Sequence, residues 1–77
     1  IRRLGYNRFM RNVLIAVANS KNLNLIDDVL IKLDSTNELI RAMAVWALFC
    51  LSKPRFLFEK KKRLRKEEFY EVRQEWL

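Results

Sequence analysis

The stretch Leu39-Ile40-Arg41-Ala42-Met43-Ala44-Val45-Trp46-Ala47-Leu48-Phe49-Cys50-Leu51 decides how this chain folds. It is apolar on nearly every helical face, interrupted mainly by Arg41. A helix that is hydrophobic all round has to be covered on several sides, which places it at the centre of the fold. Its longest apolar run, Ala42 to Leu51, is too short to span a bilayer. Upstream, Ser35 followed by Glu38 fits a capping box, so the helix is expected to start beside Asp34-Ser35-Thr36-Asn37.

Working outward, a first helix is expected from about Tyr6 to Asn19, burying Phe9, Met10, Val13, Leu14 and Val17. Ser20-Lys21-Asn22 reads as a turn. A second helix, from about Asn24 to Leu33, presents Leu25, Ile26, Val29, Leu30 and Leu33, with Asp27 and Asp28 suited to its dipole. After the central helix, Ser52-Lys53-Pro54 stops one element and starts the next. A fourth helix follows from about Arg55 to Lys66. A fifth covers Glu67 to Leu77, with Phe69, Val72 and Trp76 on one side.

Composition narrows the chemistry. The chain has 77 residues, enough for one domain near the lower limit of unaided folding. It contains one cysteine, Cys50, and no histidine. Within these residues no disulfide, cysteine cage, histidine-ligated zinc site or serine–histidine triad can be assembled. Cys50, in the most apolar helix, is expected as a buried small hydrophobe rather than a nucleophile. One glycine and one proline leave little turn chemistry for hairpins and argue for helices. The chain starts at Ile1 without a methionine, which reads as a domain cut from a longer protein, and no signal-peptide pattern follows. An intracellular, cytoplasmic, monomeric module is the expectation.

The net charge of +7 is concentrated. Residues 1–20 carry Arg2, Arg3, Arg8 and Arg11 with no acid, and residues 53–66 carry eight basic residues against Glu59. Blocks of one sign attract polyanions.

The helices also repeat. Arg11-Asn12-Val13-Leu14-Ile15-Ala16-Val17 aligns with Arg41-Ala42-Met43-Ala44-Val45-Trp46-Ala47 thirty residues later, and Ile40-Arg41 aligns with Val72-Arg73. Arg, an apolar helix, a turn and a second amphipathic helix form the unit. Such a period is the signature of an all-α, HEAT-like helical repeat, here a short α-solenoid of about five helices in one domain spanning 1–77.

The opening Ile1-Arg2-Arg3-Leu4-Gly5-Tyr6-Asn7-Arg8-Phe9-Met10-Arg11-Asn12, continued by Val13 to Ser20, resembles a stretch of the bacterial epoxyqueuosine reductases. In that family a Gly-Tyr-x-Arg-x-x-Arg-Asn segment opens the C-terminal helical repeat region. Leu39-Ile40-Arg41 through Ala44-Val45-Trp46-Ala47-Leu48 is similar to the unit that follows, and Glu71-Val72-Arg73 looks like the start of the next. The resemblance covers essentially the whole chain. Ala18 stands where the family usually has glycine, and the run Lys60 to Arg65 is more basic than the family pattern. The resemblance implies a parent oxidoreductase that uses cobalamin and two [4Fe–4S] clusters to reduce epoxyqueuosine to queuosine in tRNA. Those clusters take eight thiolates, so this fragment holds no cofactor and is not itself the enzyme. What it implies for these residues is gripping tRNA, at the anticodon stem-loop, for the catalytic domain of the same parent chain. The alternative is a HEAT-repeat protein–protein interaction module without RNA binding.

The candidate nucleic-acid-binding residues are Arg2, Arg3, Arg8, Arg11, Lys61, Lys62 and Arg65. Arginine suits phosphate because its fork donates two parallel hydrogen bonds. Given the resemblance, Arg2, Arg3 and Arg8 read as phosphate contacts rather than a solvated basic surface. Arg11, Arg41 and Arg73 share a repeat position that in HEAT-like units bonds an acid or carbonyls of the preceding turn. Asp34 is the expected partner of Arg41, while Arg11 has no preceding acid and stays open to either role. The run Lys60 to Lys66 tracks an RNA backbone in one reading and is a solvated face paired with Glu59, Glu67 and Glu68 in the other. Phe56-Leu57-Phe58 ahead of it permits a membrane-surface reading, set aside because all three fit a helix core. Tyr6 and Phe9 at helical spacing also read as core rather than base-stacking residues, and Trp46 and Trp76 as packing.

Overall fold

The structure, a computed structural model, describes residues 3–77, with side-chain surroundings from residue 8 onward. Arg2 and the side chains of Arg3 and Tyr6 therefore lie outside the described residues. The described chain is all-α: α1 (Arg3–Ser20), a 3₁₀ turn (Leu23–Leu25), α2 (Ile26–Lys32), α3 (Glu38–Leu51), α4 (Lys53–Arg63), a second 3₁₀ turn (Leu64–Lys66) and α5 (Tyr70–Trp76).

The central position expected for the apolar stretch is realised: α1, α2, α4 and α5 each pack against α3. Ile40, Ala44, Val45, Ala47, Leu48 and Leu51 of α3 are buried. Around them close Met10, Leu14 and Ala18 from α1, Val29 and Leu33 from α2, Phe56 from α4, and Val72 and Trp76 from α5. The described residues extend over 33 × 29 × 16 Å. The thin dimension fits two helix layers, whose axes pack about 8–10 Å apart with Cα radii of about 2.3 Å. At one end Phe56 meets the edge of Phe49, ring centres 5.2 Å apart, and lies 5.4 Å from Trp76. Such pairs add about 0.5–1.5 kcal/mol beyond the area they bury.

The connections explain where each helix stops. Lys21 takes the left-handed conformation, φ 56°, just past α1. The Ser20 hydroxyl donates to the Val17 carbonyl at 2.6 Å, and Asn22 caps the following turn by accepting from the Asn24 N–H. The expected capping box at Ser35 does not form. Asn37 caps α3, its Oδ1 accepting from the N–H groups of Leu39 and Ile40. Ser35 instead accepts from the Asn37 N–H. Glu38 thus becomes the first residue of α3, where its charge faces the positive end of the dipole. Between α3 and α4 a single extended residue, Ser52, serves both helices. Its N–H donates to the Leu48 carbonyl and its hydroxyl accepts from the Arg55 N–H. Pro54 sits in the first turn of α4, where a missing N–H costs nothing.

Several core expectations are corrected. Phe9 (61 % exposed), Val13, Leu57 and Phe58 are exposed, and Phe69 is largely so. Phe9, Val13, Leu57 and Phe58 lie on their helices outside the arc that meets α3, which Met10, Leu14 and Phe56 occupy instead, and Phe69 precedes α5, whose Val72 is buried in its place. Cys50 is half-buried rather than enclosed. Trp76 is in the core at 1 % exposure, and Trp46 packs against the core from its margin.

Candidate nucleic-acid interface

Tertiary structure sorts the basic residues into those consumed by internal pairing and those left facing solvent. Arg63 is consumed. Its Nε donates to Glu59 at 2.7 Å and its Nη1 to Asp34 at 2.6 Å. Burial pulls the Arg63 guanidinium down, but the hydrogen bonds and charges of Asp34 and Glu59 more than reverse this, so its pKa lies above the ordinary arginine value. Glu59 itself is buried at 2 % exposure, with Arg55 as a second partner at 3.6 Å. One of the two readings of the basic run puts it on a solvated helix face. It is a buried anion held between two arginines.

Arg41 is consumed as well, though not by the expected Asp34. Its Nε and Nη2 grip both oxygens of Glu67 at 3.0 Å, and its Nη1 donates to the Ser35 carbonyl at 2.8 Å. The Phe69 ring lies 5.4 Å from its guanidinium. Asp34 is taken by Arg63 reaching over from α4, which leaves Arg41 to the acid arriving 26 residues later. Burial pushes the Glu67 carboxyl up, but Arg41 and the backbone N–H groups of Phe69 and Glu68 outweigh it. Its pKa ends below the usual carboxylate value.

Arg73 satisfies the repeat-position expectation: its Nη1 donates to the carbonyls of Leu64 at 2.8 Å and Glu67 at 3.0 Å. So held, it forms one wall of a groove of about 580 Å³ lined by Leu57, Lys60, Lys61, Leu64, Arg65 and Arg73. Four cations and two leucines line it, and no carboxylate does. Leu57, Lys60 and Lys61 follow i, i+3, i+4 spacing on one face of α4, and the 3₁₀ turn after it adds Leu64 and Arg65. A second groove of about 300 Å³ lies between α1 and α3, lined by Arg8, Arg11, Leu39, Ile40, Ala42 and Met43.

The seven residues chosen from sequence therefore separate. Arg8 and Arg11 share the groove beside α3, while Lys61 and Arg65 share the groove between α4 and α5. Lys62 belongs to neither, its Nζ lying 5.3 Å from the Phe58 ring centre. Arg2 and the side chain of Arg3 lie outside the described residues. The groove adds Lys60 and Arg73 to those candidates: Lys60 stands in the basic run that tracks an RNA backbone in one reading, and Arg73 is aimed by the two carbonyls its repeat position leads one to expect.

Among the described residues no group of histidine, cysteine, aspartate and glutamate could hold a metal ion. No helix among them is long and apolar enough to cross a membrane. No family model matches the chain, and neither a curated protein nor a solved structure does.

Proposed function

We propose that this chain is an RNA-binding helical-repeat domain that holds tRNA, at the anticodon stem-loop, for an epoxyqueuosine reductase whose catalytic half lies elsewhere in a longer cytoplasmic protein. The observation that carries the RNA reading is the groove of Lys60, Lys61, Arg65 and Arg73 without a carboxylate in its lining. Phosphates are the ligand that such a cluster of N–H donors recognises, and releasing condensed counterions from RNA drives their binding. The α1–α2 and α3–α4 pairs, with Arg11 and Arg41 at corresponding places and Arg73 opening a third unit, support a HEAT-like solenoid. The epoxyqueuosine reductase identity rests on the resemblance of residues 1–20, 39–48 and 71–73. With one cysteine these residues do not fit an iron–sulfur cluster. Redox chemistry belongs to the parent chain, and the role here is positioning by shape and phosphate contact.

Filter binding of the 77-residue chain to tRNA at about 50 and 200 mM salt tests this. Four phosphate contacts predict that affinity falls about 50- to 150-fold between the two. Affinity that stays level as salt rises overturns the proposal. A second reading, a protein-interaction module, is favoured by the apolar lining of the groove between α1 and α3. In that case reversing Lys61 and Arg65 leaves partner binding unchanged.

A further inference from the structure

We propose that Phe58 is a stacking platform for one unpaired RNA base, with Arg55 and Lys62 reaching from it to the phosphates on either side. This inference rests on the RNA reading and sharpens it, because it adds a single-stranded nucleotide to a phosphate-tracking groove.

Phe58 is 55 % exposed on α4, away from the core. The Arg55 guanidinium carbon lies 5.8 Å from its ring centre and the Lys62 ammonium 5.3 Å. Residues 55, 58 and 62 form one stripe, at i, i+3 and i+7. At about 100° per residue Phe58 lies about 60° around the helix from Lys61, so the stripe borders the groove wall directly. A strand whose phosphates run through the groove past Lys61 brings its next base against this ring.

Burying a half-exposed phenyl ring against a base face is favourable and tolerant of base identity, since every base has a π face. The two cations do not block it. Lys62 swings from the ring to the backbone, exchanging a weak cation–π contact for a charge-assisted bond to phosphate, while Arg55 keeps its Nε beside Glu59 at 3.6 Å and turns its Nη groups to phosphate. An anionic membrane fits less well, because an interfacial helix needs a broad apolar face. Here Leu57 turns into the groove with Lys60 and Lys61, leaving Phe58 alone among the cations of its stripe.

The test compares two RNAs with equal numbers of phosphates, a hairpin with an unpaired loop and a blunt duplex. It uses the 77-residue chain, Phe58→Leu, Phe58→Trp, and the double variant Lys61→Glu with Arg65→Glu. Phe58 is outside the core, so its variants fold, which circular dichroism verifies. Phe58→Leu should weaken hairpin binding about 5- to 100-fold and leave the duplex within about twofold, with Phe58→Trp retaining the hairpin. Equal losses on both RNAs, or none on either, overturn the platform while the groove stands, provided the double variant weakens both. If neither RNA binds, or the double variant changes nothing, the RNA reading falls and the platform with it. Vesicles of phosphatidylglycerol form a third arm. If Phe58→Leu abolishes vesicle binding and leaves hairpin binding intact, the ring serves a membrane and the proposal is overturned.

Discussion

Glu59 shows how a residue's role depends on what surrounds it. In sequence it is the lone acid in a basic run, and in the fold it is a buried carboxylate between Arg63 and Arg55. Glu67 changes in the same way, from a surface acid to the bidentate partner of Arg41. Its lowered pKa fixes a sign. The stability this pair contributes is present above the unfolded value, near 4.5, and is lost as pH falls through the lower folded value. Glu67→Gln should therefore melt at lower temperature near pH 7 yet lose less stability than the parent as pH falls below about 4.5. Thermal melts across that range check this, and parallel curves for the two proteins would refute it. Lys21 carries backbone strain, since a left-handed residue with a Cβ costs about 1–2 kcal/mol. Lys21→Gly removes that cost, less the entropy glycine brings to the unfolded chain. The expected net gain is about 0.5–1 kcal/mol, read as a melting rise of about 2–8 °C. A lower melting temperature would show that Lys21 makes a contact outweighing the strain.

At the scale of elements, helix existence was legible and helix ends less so. The apolar run of residues 39–51 with the polar break before it, and the stop at Ser52-Lys53-Pro54, placed α3 and α4 to within two residues at their starts. The start of α5 was misplaced to Glu67, where the chain runs extended and the Glu67 carboxylate accepts from the Phe69 N–H. The α3 cap was misplaced to Ser35 because Ser35 and Asn37 both offer a capping oxygen, and only the path of the chain from Leu33 selects between them. Asn37→Ala should cost about 1 kcal/mol in urea unfolding, and Ser35→Ala distinctly less. A larger loss at Ser35 would return the cap to the capping box. The faces of α4 were legible in part. Spacing places Leu57, Lys60 and Lys61 together, but nothing in it tells which arc α3 covers, so Leu57 and Phe58 read as core.

For the whole molecule, the fold sets Arg8 and Arg11 in one groove and Lys60, Lys61, Arg65 and Arg73 in another. Charge reversal at Lys61 and Arg65 should lower the salt slope of tRNA binding by about two, one for each phosphate left without its cation. Reversal at Arg8 and Arg11 should act independently, so that the free-energy effects of the two pairs add to within about 0.5 kcal/mol. An unchanged slope in the first variant would remove the groove between α4 and α5 from the interface. The sequence by itself determined the all-α class, the central place of α3 and, within these 77 residues, the exclusion of an internal disulfide and of histidine chemistry. These follow from composition and from a helical period of about 3.6 residues, both properties of the chain read locally. Only the tertiary structure decided which acids neutralise which arginines, and so which cations remain for a ligand. Asp34 with Arg63 and Glu67 with Arg41 are pairs 29 and 26 residues apart. Distances of that kind are set by how α4 and the segment before α5 close on α3, and no local pattern records them.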